Sequence, residues 1–159
     1  MEKGVQVDAI YTDLKAAFDK VNHRILLAKL DRLGVATNIV KWMRSYLNRR
    51  QLIVKLGANE SVPFSNCSGV PQGSNLGPLL FSLFFNDVCF VVPEGCRLGY
   101  ADDFKIYWLV KSADDCRRLQ TIVDSFACWC QRNCLIISVK KCSVISFTRK
   151  KTQSVGITT

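Results

Sequence analysis

The stretch Gly99-Tyr100-Ala101-Asp102-Asp103 decides how this chain folds. Leu98, Tyr100 and Ala101 lead into it, and Phe104, Ile106, Tyr107, Trp108, Leu109 and Val110 follow it. Aromatic and branched residues of this kind suit a pleated, half-buried surface, so the pattern predicts a β-hairpin with two adjacent carboxylates at its tip. Like charges on an apolar hairpin repel unless cations neutralise them. Such a conflict between charge and surroundings is how a functional site shows itself in a sequence.

A third carboxylate belongs with this pair. Val5, Val7, Ile10 and Tyr11 form a β-like run that ends at Asp13. If that strand pairs with the hairpin, Asp13, Asp102 and Asp103 come together at neighbouring strand ends. Oxygen-only ligands of this type suit Mg²⁺ or Mn²⁺. Two such ions about 3.5–4 Å apart can activate a hydroxyl nucleophile and stabilise a leaving phosphate oxygen. Each piece alone is weak: an Asp-Asp pair is commonly a solvated turn, and Asp19 reads as a local cap or hydrogen-bond partner.

Length and charge narrow the class. The 159 residues, 48% hydrophobic, suffice for one domain with a core. No apolar run reaches the roughly 18 residues of a spanning helix, so no membrane partner is expected. The net charge of +9 favours a polyanion, nucleic acid first. The basic residues cluster at Arg44, Arg49 and Arg50, at Arg117 and Arg118, and at Arg149, Lys150 and Lys151. Of the eight cysteines, Cys128, Cys130, Cys134 and Cys142 are the closest group, but no Cys-x-x-Cys knuckle exists and His23 is the lone histidine. Buried reduced thiols are expected rather than a zinc site.

The remaining pattern alternates helix and strand. Asn22 can cap a helix over Arg24 to Leu33, with Ile25, Leu26, Leu30 and Leu33 on one stripe and Gly34 at its end. Thr37 can cap a second carrying Ile39, Val40, Met43 and Leu47. Strands are expected over Gln51 to Leu56 and Val62 to Cys67, joined by a turn at Ala58-Asn59-Glu60. The loop Ser68 to Pro78 holds three glycines and two prolines and leads into a helix through Asn86. Ser112 can cap a long helix striped with Cys116, Leu119, Val123, Phe126 and Cys130. Strands over Leu135 to Val139 and Val144 to Phe147 close an α+β fold with helices on one face of an antiparallel sheet.

Four segments are familiar together. Tyr11-Thr12-Asp13-Leu14-Lys15-Ala16-Ala17-Phe18-Asp19 through His23, Gly69-Val70-Pro71-Gln72-Gly73 through Phe81, Tyr100-Ala101-Asp102-Asp103, and Trp129, Asn133, Leu135 with Lys141-Cys142 through Phe147 occur in order. They resemble the motifs of reverse transcriptases from non-LTR (LINE-type) retrotransposons, Jockey-like in character, from Val7 to Arg149. The resemblance implies a right-hand polymerase palm with part of the fingers over residues 1–150, a frayed tail over 151–159, and the fingers, thumb and endonuclease of the family incomplete or absent. It implies an RNA-directed DNA polymerase that transfers deoxynucleotides from their triphosphates to a DNA primer 3′-hydroxyl on an RNA template, in the nucleus, with two Mg²⁺ or Mn²⁺ ions. Asp13 and Asp102 would hold the ions and Asp103 would assist. The main chain at Asp13 and Leu14 would line the triphosphate, and Phe18 would be the steric gate against a 2′-hydroxyl. Gln72 and Gly73 would touch the nucleotide and template base, and Lys141, with Lys140 as its adjacent competitor, would protonate pyrophosphate. By composition alone Phe18 reads first as a core aromatic, and a merely solvated lysine is as good a reading as a role for either Lys140 or Lys141; the resemblance gives them roles. Ser138 departs from the Asn usual in the fourth motif. For the piece on its own, weak or no activity is expected. The rival readings are an inactive retrotransposon remnant that binds nucleic acid, and an RNA-dependent RNA polymerase palm, which Phe18 and the Val70-Pro71-Gln72-Gly73 loop oppose.

Overall fold

Residues 6–48 and 50–148 are described by the computed structural model. Val5 at the head of the first strand run, Arg49, the Arg149-Lys150-Lys151 cluster and the tail behind it lie outside the described residues. In chain order the elements are β1 (Gln6–Thr12), α1 (His23–Arg32), α2 (Thr37–Leu47), β2 (Gln51–Leu52), β3 (Lys55–Leu56), β4 (Asn59–Glu60), β5 (Phe64–Ser65), α3 (Gly77–Phe85), β6 (Arg97–Tyr100), β7 (Asp103–Val110), α4 (Ala113–Arg132) and β8 (Ser143–Thr148). Short 3₁₀ turns cover Asn86–Phe90 and Val139–Lys141. Where composition allowed for one core, the described residues group into two compact units: those of residues 1–15 with those of 86–159, and those of residues 16–85. No helix among the described residues is long and apolar enough to cross a membrane.

The first unit is built on a four-stranded antiparallel sheet in the order β6-β7-β1-β8. Its register pairs Ile10 with Ile106 and Thr12 with Phe104. Directly opposed residues share a face, so Ile10, Phe104, Ile106 and Val110 form one buried surface. Helix α4 covers it: the Phe104 ring stacks on Phe126 at 5.0 Å, and Phe126 on Trp129 at 6.1 Å. The helix starts where the sequence said it would. The Ser112 hydroxyl accepts from the Asp115 amide, and the Asp115 carboxylate accepts from the Ser112 amide at 3.0 Å. The Lys111 amide, with the Ser112 hydroxyl, holds the Asp115 carboxyl below the usual carboxylate range. The buried stripe of α4 is Leu119, Phe126, Trp129 and Cys130, with Trp129 added to the expected set and Cys116 and Val123 only half-buried.

Leu135 to Val139 is not the strand expected from its branched residues. It makes one isolated bridge, Leu14 to Ile137. The Lys15 amide donates to the Ile136 carbonyl and the Ser138 amide to the Asp13 carbonyl, both at 2.8 Å. The Lys141 and Cys142 amides then turn back onto the Ser138 carbonyl. Hydrogen bonds that would extend a ladder close a 3₁₀ turn instead.

The second unit packs α1 against α2 and α3. The Asn22 carboxamide oxygen accepts from the Arg24 and Ile25 amides, as expected of a cap. Gly34, at φ 77°, lets the Val35 amide return to the Leu30 carbonyl at 3.1 Å. Thr37 does not cap α2; it is the first helical residue, and Ala36 precedes it with no side-chain bond. Leu26 and Leu30 are buried on α1, and Val40, Met43 and Leu47 on α2, while Leu33 and Ile39 at the helix ends are exposed. The expected strands over Gln51 to Leu56 and Val62 to Cys67 survive only as two-residue pieces, β2 with β5 and β3 with β4. The turn lies at Gly57-Ala58, one step before the expected one. Residues 51–65 are exposed throughout, so no buried face fixes a longer register.

The cysteines are less buried than expected: Cys96 and Cys130 are inside, whereas Cys67, Cys128 and Cys134 are exposed. Burial pushes the Cys130 thiol up to about 12, which keeps it protonated and inert.

Candidate active site

The tip of the β6-β7 hairpin is a two-residue turn. Tyr100 pairs with Asp103, leaving Ala101 and Asp102 at the turn. Ala101 has φ 53°, in the left-handed region that favours glycine, and Asp102 does not share the positive sign. A Cβ in that region is strained. Ala101→Gly is therefore expected to raise stability by about 0.5–1 kcal/mol, the relief exceeding the added freedom of the unfolded chain. Urea unfolding measures this, and a lower midpoint would contradict it.

The end of β1 is fastened to this hairpin. The buried Thr12 hydroxyl donates to the Phe104 carbonyl at 2.7 Å. One step past the last pair, the antiparallel count sets Asp13 opposite Asp103. The Asp13 carbonyl is held by the Ser138 amide. Its Oδ2 is sealed from solvent and has no hydrogen-bond partner among the described residues. The cation nearest to it is Lys141, whose Nζ lies 3.6 Å away. Ser138 thus ties together the aspartate and the 3₁₀ turn that carries the lysine. The Leu14 bridge consumes the Asp13 carbonyl and the Lys15 amide, so the amide and carbonyl of Leu14 itself take no part in it. Register brings Asp13, Asp102 and Asp103 to one end of the sheet. Even so, among the described residues no three His, Cys, Asp or Glu side chains form a set that could hold a metal, so the expected three-carboxylate cluster is not assembled as the chains stand.

Phe18, Gln72 and Gly73 belong to the second unit. Phe18 is half-buried and stacks on Phe81 at 4.3 Å with the rings 20° apart. The loop before α3 lies along the segment that carries it. The Val70 amide donates to the Phe18 carbonyl at 2.9 Å, the Gly69 amide to Val21 at 2.8 Å, and the Ser68 hydroxyl to the Asp19 carbonyl at 2.8 Å. Gln72 Nε2 donates to Asp19 Oδ1 at 2.8 Å. Asp19 is thus a hydrogen-bond partner, of a loop some fifty residues away and not of its own segment, and His23, bonded through Nε2 to the Gly69 carbonyl, is structural. A Cβ on Gly69 would sit 2.8 Å from the Asp19 Cα, and φ there is 89°, so glycine is required. Gln72 and Gly73 themselves are exposed.

Thr12 and Gly69 are positioning residues to which the sequence reading gave no role, and Ser138 was noted only as a departure from the fourth motif. Thr12 carried a signal, a hydroxyl at an inward position of an apolar strand. Ser138 and Gly69 act through main-chain contacts to residues far away in sequence, which no local pattern shows.

A family model described as reverse transcriptase (RNA-dependent DNA polymerase) matches residues 7–159. This chain belongs to the reverse transcriptase family. The reverse transcriptase chain is 34% identical over 151 residues to a probable RNA-directed DNA polymerase from transposon BS of Drosophila melanogaster, covering 90% of the chain and 17% of that relative. It is 32% identical over 170 residues to the RNA-directed DNA polymerase from mobile element jockey of Drosophila funebris, covering 99% of the chain and 18% of the relative. The reverse transcriptase chain therefore spans less than a fifth of the length of these relatives, and its likeness to retrotransposon polymerases of the jockey type agrees with the motif reading. Among solved structures, apo telomerase of Candida tropicalis truncated from its C-terminal domain superposes with a TM-score of 0.70 at 16% identity, over 92% of this chain and 32% of that one. Telomerase of Candida albicans in complex with a fragment of telomeric RNA gives 0.66 at 13% identity, over 99% and 29%. The shared fold is the α+β polymerase palm.

Proposed function

We propose that this chain carries the catalytic palm of an RNA-directed DNA polymerase from a non-LTR retrotransposon. The supporting observation is the β1-β7 register, which sets Asp13, with a sealed carboxylate oxygen that accepts no hydrogen bond among the described residues, across from the Asp102-Asp103 turn. The donor set is all oxygen, which fits a hard divalent cation such as Mg²⁺ or Mn²⁺. Asp13 and Asp102 would hold two ions with help from Asp103, and the bound ions would polarise the nucleophilic hydroxyl and the leaving phosphate oxygen. Ser138 fixes the main chain of Asp13, so the carboxylate is presented from a rigid strand end. Lys141, whose Nζ lies 3.6 Å from Asp13, would be the proton donor to departing pyrophosphate. The amide of Leu14, which takes no part in the bridge to Ile137, would face the triphosphate.

The substrates follow from this reading: an RNA template, a DNA primer and deoxynucleoside triphosphates, with priming at chromosomal DNA in the nucleus. Phe18, its ring held by Phe81, would exclude a 2′-hydroxyl. Phe18→Val is expected to raise the ratio of ribonucleotide to deoxynucleotide incorporation; an unchanged ratio removes Phe18 from that role. Primer extension on an RNA template with Mg²⁺ or Mn²⁺, wild type beside Asp102→Ala, tests the activity. Extension that disappears in the variant supports the polymerase. RNA binding by both proteins with extension by neither supports an inactive remnant.

A further inference from the structure

The sheet of the first unit has a strand edge that the aspartate site does not use. In the order β6-β7-β1-β8, β8 is an outer strand and its one neighbour in the sheet is β1. Register fixes which of its main-chain groups point outward. The Tyr107 amide donates to the Cys96 carbonyl at 2.9 Å, on the β6 side of β7. Main-chain groups of successive residues in a strand point to opposite sides. Ile106 and Trp108 therefore bond toward β1, to Ile10 and Asp8. That leaves Ala9 and Val7 to bond the other way, to Ile145 and Phe147 of β8. The amides and carbonyls of Val144 and Ser146 then face away from the sheet, and no described residue bonds them.

Exposed strand edges are ordinarily blunted by charge, proline or a bulge. Cys142 to Thr148 contains no Lys, Arg, Asp, Glu or Pro, and β8 pairs with β1 without a break. Ile145 and Phe147 are 41% and 46% exposed on the face away from α4, and Val144 is 36% exposed on the face toward it. Apolar side chains thus stand open on both faces of the strand, ready to form cross-strand pairs with an added one.

Charge says which strand fits. The sequence is basic on both sides of β8, with Lys140-Lys141 before it and Arg149-Lys150-Lys151 after it. A second β8 laid along this edge, in either direction, would bring basic ends against basic ends, on chains of net charge +9. A strand with carboxylates at both ends meets opposite charge instead.

We infer that the outer edge of β8 accepts an extended protein segment as an added strand, one that alternates apolar residues and carries acidic residues at both ends. This goes beyond the polymerase reading and stands or falls without it.

Backbone amide exchange, followed by NMR on the 159-residue chain, tests it. In the free chain the Val144 and Ser146 amides should exchange at least about tenfold faster than those of Ile145 and Phe147. The probe is a synthetic peptide of alternating valine and threonine with two aspartates at each end. At saturation it should slow exchange at Val144 and Ser146 by about tenfold or more. The same peptide with its amides N-methylated keeps charge and side chains but lacks the donors, and should lose this protection. A peptide with lysines in place of the aspartates should bind at least about tenfold more weakly. Ser146→Pro removes an outward N–H and leaves the bonds to β1, so it should weaken binding about tenfold while Ile145 and Phe147 stay protected.

Equal affinity for the N-methylated or the lysine-ended peptide overturns the inference, as does protection gained away from β8 or none at the highest soluble peptide concentration. Protection of Val144 and Ser146 that rises with chain concentration in the absence of peptide would put a second copy on the edge, and overturns it too. The peptide comparisons use wild type alone, so they decide the matter even where the proline variant does not fold.

Discussion

Asp13→Asn and Asp102→Ala are each expected to reduce templated primer extension by about a thousandfold or more, while leaving the chain folded. Removing a single preorganised electrostatic stabiliser costs about 10²–10³ in rate, and a carboxylate that ligates the ions acts on both the attacking and leaving oxygens. Asparagine keeps the shape of the Asp13 side chain and removes its charge. The sealed Oδ2 accepts no hydrogen bond, so folding loses no such bond with that charge. The one ion pair at stake, with Lys141 at 3.6 Å, joins a lysine that is 72% exposed, and screening leaves such a pair little stabilising effect. The urea midpoint of Asp13→Asn should therefore stay within about 0.5 kcal/mol of wild type. A matching fall in stability and extension would mean that Asp13 is a structural residue and that the activity loss reports unfolding.

The largest effect on stability is expected from Phe126→Ala. Phe126 is fully buried on α4 and stacks on both Phe104 and Trp129. Removing its ring leaves a cavity under the strand that follows the Asp102-Asp103 turn, because neighbours fixed by the sheet register cannot close in. Truncation of a buried phenylalanine costs about 3–5 kcal/mol. That is a large part of the stability of a domain of this size, so the variant should unfold at far lower urea or be recovered unfolded. Phe126→Leu, which keeps most of the volume, should recover most of the loss. A change below about 1 kcal/mol in Phe126→Ala would show that α4 does not support the hairpin, and would contradict the fold described here.

The parts of this architecture that were legible in the sequence are those whose cause is local. The hairpin around Ala101-Asp102, the Ser112 capping box and the Asn22 cap each rest on residues within a few positions of one another. The stripes of α1, α2 and α4 were largely readable because burial follows helical period; Leu33 and Ile39 at the helix ends are exposed, and Ile25, Cys116 and Val123 are only half-buried. The strand predicted over Leu135 to Val139 failed because its branched residues say nothing of the Asp13 and Lys15 main-chain groups that capture it. The exposed pieces from Gln51 to Ser65 alternate correctly but have no buried face to pair against. For the site, the motifs named Asp13, Asp102, Asp103 and Lys141, whereas the 3₁₀ turn set by Ser138 that carries Lys141 Nζ to 3.6 Å from Asp13 had no local signal.

The central claim is that Asp13 and the Asp102-Asp103 turn serve one cation site. Paramagnetic broadening of backbone amide signals during a Mn²⁺ titration tests it most directly. The amides of residues 12–14 and 101–104 should broaden together at the same Mn²⁺ concentration, and Asp13→Asn should remove the effect at both segments. Broadening confined to the hairpin tip, with Asp13 untouched, would contradict a shared site.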